Sequence, residues 1–228
     1  GNRNNAGLVG GLFLIAMIAS ISGGLLVSSV TDTPNFMNLI SENKVLLVTG
    51  VLLELVNGIA VVLIGIFMFQ VFKLYDEISA VGYLSLRIVE AVFCCIIVIA
   101  PVSLLTVSTE LINSGISGAD DFINLSLILL AERLAVAELL IPVFLGLGGI
   151  VFYAALYRTK LLPRYIAVWG FAGAILMLFI NLLLTFQIEI NGAVVFIFVI
   201  PLITNEIYMG VRLIIKGFNT LPVKRSAM

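Results

Sequence analysis

Five carboxylates and two guanidiniums interrupt the long apolar stretches of this sequence: Glu54, Glu90, Glu132, Glu138 and Glu206, with Arg87 and Arg133. A charge at membrane depth costs at least ~2.5 kcal/mol on insertion scales, so each needs a partner or a task. Pairing both arginines still leaves three acids without a cation. A low-dielectric interior solvates an ionised carboxylate poorly, so these acids are expected to carry a proton or to hold a cation. The chemistry that follows is reversible binding of a proton, a cation or a small solute.

Spacing sharpens the candidates. Tyr83, Arg87, Glu90 and Cys94 are spaced by four, three and four residues, which puts them on one stripe of a helix. That stripe is either an ion pair that fixes helix register or the polar wall of a cavity. Pro142 follows Glu138 by four residues and has no amide hydrogen, so the Glu138 carbonyl loses its helical donor. A carboxyl and a freed carbonyl there make a ligand position or an ordinary kink. Asn205 and Glu206 lie about half way along the last apolar run, too deep for Glu206 to snorkel to water. Glu206 is expected to face the interior and meet Arg87 or Glu138. Glu54, Asn57 and Gly58 share a face at the depth of Arg133, so Glu54 and Arg133 are predicted to form a structural ion pair. The candidate ligand or ion site is therefore Glu54, Arg87, Glu90, Glu138, Asn205 and Glu206.

Other chemistries find little support. The chain has no histidine, so bis-histidine haem, histidine-ligated zinc and a serine–histidine pair are excluded. Cys94 and Cys95 are adjacent, point about 100° apart on a helix, and read as small core residues. No catalytic set, metal site or cofactor is expected, and no basic arm suggests nucleic acid. An intramembrane enzyme using acid pairs on a lipid-like substrate is a weaker alternative.

The elements that position these residues must be membrane helices. The hydrophobic fraction is 61%, the charged fraction 11% and the mean hydropathy +1.22, which leaves too little polar surface to coat a soluble domain. Apolar runs cover 7–29, 45–72, 82–107, 125–157, 165–186 and 193–215. Each exceeds the ~20 residues that cross a bilayer, the second and fourth by most. Backbone groups in lipid must be satisfied within the segment, so the spans are helical. The first run is longer than a signal-peptide core and is read as a mature helix. The fold class is an all-α polytopic bundle of about six spans, one transmembrane domain over 1–228, with the polar segments 30–44 and 108–124 as the longest loops.

Basic residues set the expected orientation. Arg3, Lys73, Arg158, Lys160, Arg164, Arg212, Lys216, Lys224 and Arg225 fall on one side, and only Lys44 on the other. The positive-inside rule puts the first set in the cytosol, with both termini, in a multi-pass protein of the cell membrane. Small residues at Gly7, Gly11, Ala16, Ser20 and Gly24, and at Gly146, Gly148, Gly149, Gly170 and Ala174, read as intramolecular packing faces. A homo-oligomer is left open, and membrane lipids are the expected surroundings.

Four strings carry a family resemblance: Leu84-Ser-Leu-Arg87-Ile-Val-Glu90-Ala-Val-Phe93, Tyr157-Arg-Thr-Lys-Leu-Leu-Pro163-Arg164 running into Trp169-Gly-Phe-Ala-Gly173, Asn205-Glu206 through Lys216-Gly-Phe-Asn219, and the opening Ala6-Gly-Leu-Val-Gly. In order and spacing the chain resembles a prokaryotic membrane family known as domain of unknown function 4386. The resemblance implies a multi-span membrane protein and brings no activity with it. From the residues, the expected function is binding or transport of a small solute, proton or ion through a polar cavity. The alternative is an accessory or sensor protein whose polar core is structural.

Overall fold

The computed structural model describes residues 2–114 and 119–219. Among the described residues are nine α-helices: α1 (Asn2–Thr31), α2 (Phe36–Glu42), α3 (Lys44–Phe72), α4 (Glu77–Ile96), α5 (Ile99–Ser114), α6 (Ala119–Ala135), α7 (Ile141–Thr159), α8 (Arg164–Thr185) and α9 (Gly192–Lys216). A π-helical turn at Val136–Leu140 joins α6 to α7. Six segments are long and apolar enough to span a bilayer: Asn5–Thr31, Lys44–Phe72, Glu77–Leu111, Asp120–Thr159, Arg164–Thr185 and Gly192–Lys216. The protein is an all-α polytopic bundle.

The spans form a ring in chain order. α1 packs on α3, α3 on α4, α4 on α7, α7 on α8, α8 on α9, and α9 returns to α1. Backbone proximity closes the ring at Gly10, where an added Cβ would lie 2.5 Å from the Gly210 carbonyl oxygen. Only glycine admits that approach. The α1 packing face therefore runs through Gly10 and Gly23. Gly7, Gly11 and Gly24, expected on that face, meet open space.

Both described chain ends lie at one end of the ring, together with Lys73, Arg158, Lys160, Arg164, Arg212 and Lys216. This basic end is tied together by Asn219, whose amide donates to the Leu161 carbonyl at 2.9 Å and whose side chain donates to Lys160 at 3.0 Å. Lys224, Arg225 and the Arg3 side chain lie outside the described residues.

The opposite end is more helical than its polar composition suggests. Within 30–44, α2 buries Phe36, Met37 and Ile40. Within 108–124, helix continues to Ser114 and resumes at Ala119; residues 115–118 lie outside the description. Two hydroxyls explain the persistence. Thr109 donates back to the Leu105 carbonyl at 2.9 Å, and Ser108 donates to the Met37 carbonyl of α2 at 2.6 Å. The longest spans are consequently the third and fourth, at 35 and 40 residues.

Candidate functional site

Residues from all six spans line a cavity of about 210 Å³ at the centre of the ring. Its charged groups are Arg87 and Glu90 on α4 and Glu206 on α9. Arg87 and Glu206 each lie ten residues from the basic end of their helix, about 15 Å of rise. Ser20 of α1 and Asn57 of α3 add polar atoms, and the remaining lining is apolar.

The Arg87 guanidinium is held from below and from one side. Its Nε donates to the Tyr83 hydroxyl at 2.8 Å, and Nη1 donates to both Glu90 oxygens at 3.1 and 2.9 Å. The i,i+3 and i,i+4 spacing of one helix makes this cluster possible. Phe13 and Tyr83 present ring faces to the guanidinium, with Cζ 5.8 and 5.2 Å from their centroids. Phe13 packs on Phe152 at 5.6 Å, and Phe152 on Tyr83 at 5.0 Å and Phe72 at 5.7 Å. This aromatic floor separates the cavity from the basic end. The rim lies on the other side, where Ser20 and Ile21 of α1 are exposed and Val199 and Ile203 of α9 are half-buried.

Glu206 differs from Glu90. Among the described residues no side chain hydrogen-bonds or ion-pairs with its carboxylate, and the one cation of the cavity already holds Glu90. Fully ionised, Arg87, Glu90 and Glu206 would leave the cavity with one excess negative charge. The Tyr153 hydroxyl on α7 and Asn205 Oδ1 on α9 are also buried without a hydrogen-bond partner among the described residues.

The six candidates thus divide. Arg87, Glu90 and Glu206 come together. Asn205 is fully buried but does not line the cavity; its Nδ2 donates to the Ile166 carbonyl at 3.0 Å and anchors α9 to α8. Glu138 is exposed on the π-helical turn and does not join the others. There Ile141 N–H reaches the Val136 carbonyl, one residue beyond the α-helical partner, so the chain enters Pro142 through a register change that turns Glu138 outward. Glu54 stands elsewhere, against Arg133.

That second centre is closed. Arg133 Nη2 donates to Glu54 Oε1 at 2.5 Å and Nη1 to Oε2 at 3.1 Å, a bidentate pair. Nη1 also donates to the Ile97 carbonyl at 2.9 Å. Pro101 lies four residues beyond Ile97 and supplies no amide hydrogen, so this carbonyl is orphaned where α4 breaks from α5. Arg133 replaces the missing donor.

The chain belongs to the DUF4386 family. The family model, described as a domain of unknown function, matches residues 8–217 and so reaches all six spans. No curated protein and no solved structure matches the chain. The site of this DUF4386 protein therefore has to be read from its own chemistry.

Part of the site left no clear trace in the sequence. Phe13 looks like any aromatic on an apolar helix, and Ser20 reads as a packing residue. The Ile97 carbonyl did leave one, since the proline argument applied to Glu138 and Pro142 holds equally for Ile97 and Pro101. Cys95, expected in the core, is exposed, and only Cys94 is buried, within 3.5 Å of Asn57 Nδ2. Among the described residues no group of three or more His, Cys, Asp or Glu could hold a metal ion.

Proposed function

We propose that this protein binds a proton or small cation at Glu206 and moves it, or a solute coupled to it, through the central cavity. The observation that carries the reading is the Glu206 carboxylate, without a partner among the described residues and facing a cavity whose arginine is already engaged. A carboxyl in that setting is stable only when neutralised, and a proton or a cation does this equally. Arg87 and Glu90 form a fixed neutral wall opposite, so one exchangeable charge remains. The positive-inside rule assigns the basic end to the cytosol, with both termini there and the cavity rim directed outward.

The paired Arg133 centre favours a second reading, in which the polar core only specifies packing in an accessory or sensor protein. Native mass spectrometry of the gently purified protein separates the two. A stoichiometric small ligand, or proton flux into proteoliposomes, lost in Glu206→Gln and retained in Glu138→Gln on the outer face, supports binding and transport. Equal retention of bulk lipid alone by all three forms, with no flux, supports the structural reading.

A further inference from the structure

A groove on the outside of the bundle, between α7 and α8, is separate from the central cavity. It encloses about 390 Å³; Ala154, Ala167 and the edge of Tyr153 form its floor, and Tyr157, Phe171 and Ile175 rise beside them. Its depth comes from small residues. At Gly170 an added Cβ would lie 2.2 Å from the Tyr153 ring, so glycine alone lets the ring lie flat against α8. From Ala167 to Ile175 the trough follows α8 for eight residues, about 12 Å.

Polar character is confined to one end. Among the described residues Arg158 is the one charged residue lining the groove, and its side chain is 73% exposed at the basic end. Arg164 lies over Tyr157, which lines the groove, with Cζ 4.9 Å from the ring centroid, and Lys160, between the two arginines in sequence, is exposed. Among the described residues Arg158 has one ion-pair partner, Asp76 at 3.8 Å. The Asp76 carboxylate is already occupied by the Ser79 hydroxyl at 2.6 Å and by the Ile78 and Ser79 amides. Tyr157, Tyr165 and Trp169 are exposed within the helix turns nearest this end, and aromatic residues of this kind mark the bilayer–water boundary.

An apolar trough that starts at a cationic mouth in the boundary layer and descends into hydrocarbon complements one class of molecule. We propose that the α7–α8 groove binds one anionic phospholipid, with an acyl chain over Ala154 and Phe171 and the phosphate between Arg158 and Arg164. Planar guanidiniums suit a phosphate group, and basic pockets at helix ends recruit anionic headgroups. The site rests on the membrane setting and not on the cavity's activity, so either proposal can fail alone.

The test uses the whole chain, delipidated in neutral detergent and titrated with phosphatidylglycerol or phosphatidylcholine of identical acyl chains. Native mass spectrometry counts the lipids retained, and inorganic phosphate serves as the headgroup without a tail. One phosphatidylglycerol per chain is expected in excess over phosphatidylcholine. Arg158→Gln and Arg164→Gln should each weaken its retention about five-fold. Ala154→Phe fills the trough with the charges intact and should abolish the preference; Ala172→Phe, on the exposed rim, does the same with little demand on folding. Lys73→Gln, elsewhere on the basic end, should leave retention unchanged. Equal retention of the two lipids, displacement by inorganic phosphate alone, or full retention in both trough-filled variants would overturn the proposal.

Discussion

The two arginines within the spans each meet a carboxylate but end in opposite states. Arg133 meets a bidentate carboxylate and a carbonyl orphaned by proline, so its centre is complete. Arg87 meets one carboxylate and one tyrosine, but its cluster borders a cavity where a second acid, Glu206, has no partner among the described residues. The first centre joins α3, the break in the third span, and α6. The second leaves a charge for something else to neutralise. Burial of an ion pair is thus a poor guide to role; what matters is whether a charge is left over beside space that a ligand can enter.

Substitutions should break this contrast in order of size. Arg133→Gln leaves Glu54 buried and the Ile97 carbonyl unpaired, and is expected to cost about 3–5 kcal/mol in unfolding measurements in detergent. Adding Glu54→Gln should recover part of that loss; strict additivity would mean the pair is not coupled. Arg87→Gln should cost less, about 1–3 kcal/mol, because Glu90 then faces a cavity from which it can take a proton. If Arg87→Gln were as damaging as Arg133→Gln, the distinction between open and closed centres would fall.

Glu206→Gln removes a charge with no partner, so stability should change by less than about 1 kcal/mol. Ligand retention or flux should disappear nonetheless. A large loss of stability would show that Glu206 has a structural partner instead. The smallest effect belongs to a surface carboxylate, Asp76, at the N-cap of α4. The Ser79 hydroxyl, then the Ser79 and Ile78 amides, hold its carboxyl below the usual 3.8. Its contribution is therefore present above that value and lost as the pH falls through the lower, folded-state value. Asp76→Asn should lower the unfolding temperature slightly at neutral pH, where Asn still caps but carries no charge, and the two proteins should converge as the pH falls below about 4.

Much of the bundle is legible in the sequence, and the departures have local causes. The six spans follow from apolar runs whose length the bilayer dictates. The segments 30–44 and 108–124 look like loops because Ser, Thr and Asn are abundant in them. In the structure their hydroxyls bond to helical carbonyls, so polarity there does not interrupt the helix. The face of α1 is displaced by one residue, from Gly11 to Gly10 and from Gly24 to Gly23, because small-residue spacing alone does not say which neighbour approaches. Glu138 shows the same limitation more sharply. Its distance from Pro142 is plain, yet the π-helical turn that points it outward is set by how α6 and α7 pack.

Composition and periodicity alone specify a membrane bundle of six helices, one basic end, and a surplus of acids at depth. Those properties depend on residue type and on distance along the chain, which the bilayer reads directly. Which acid is left over is a property of the folded ring. Glu54, Glu90 and Glu206 are chemically alike, and each lies mid-helix in an apolar segment. Only the return of α9 to α1, closed at Gly10, brings Glu206 to the cavity while Arg87 is committed to Glu90 and Arg133 to Glu54. Pairing between helices depends on rotation and depth together, and tertiary packing decides both.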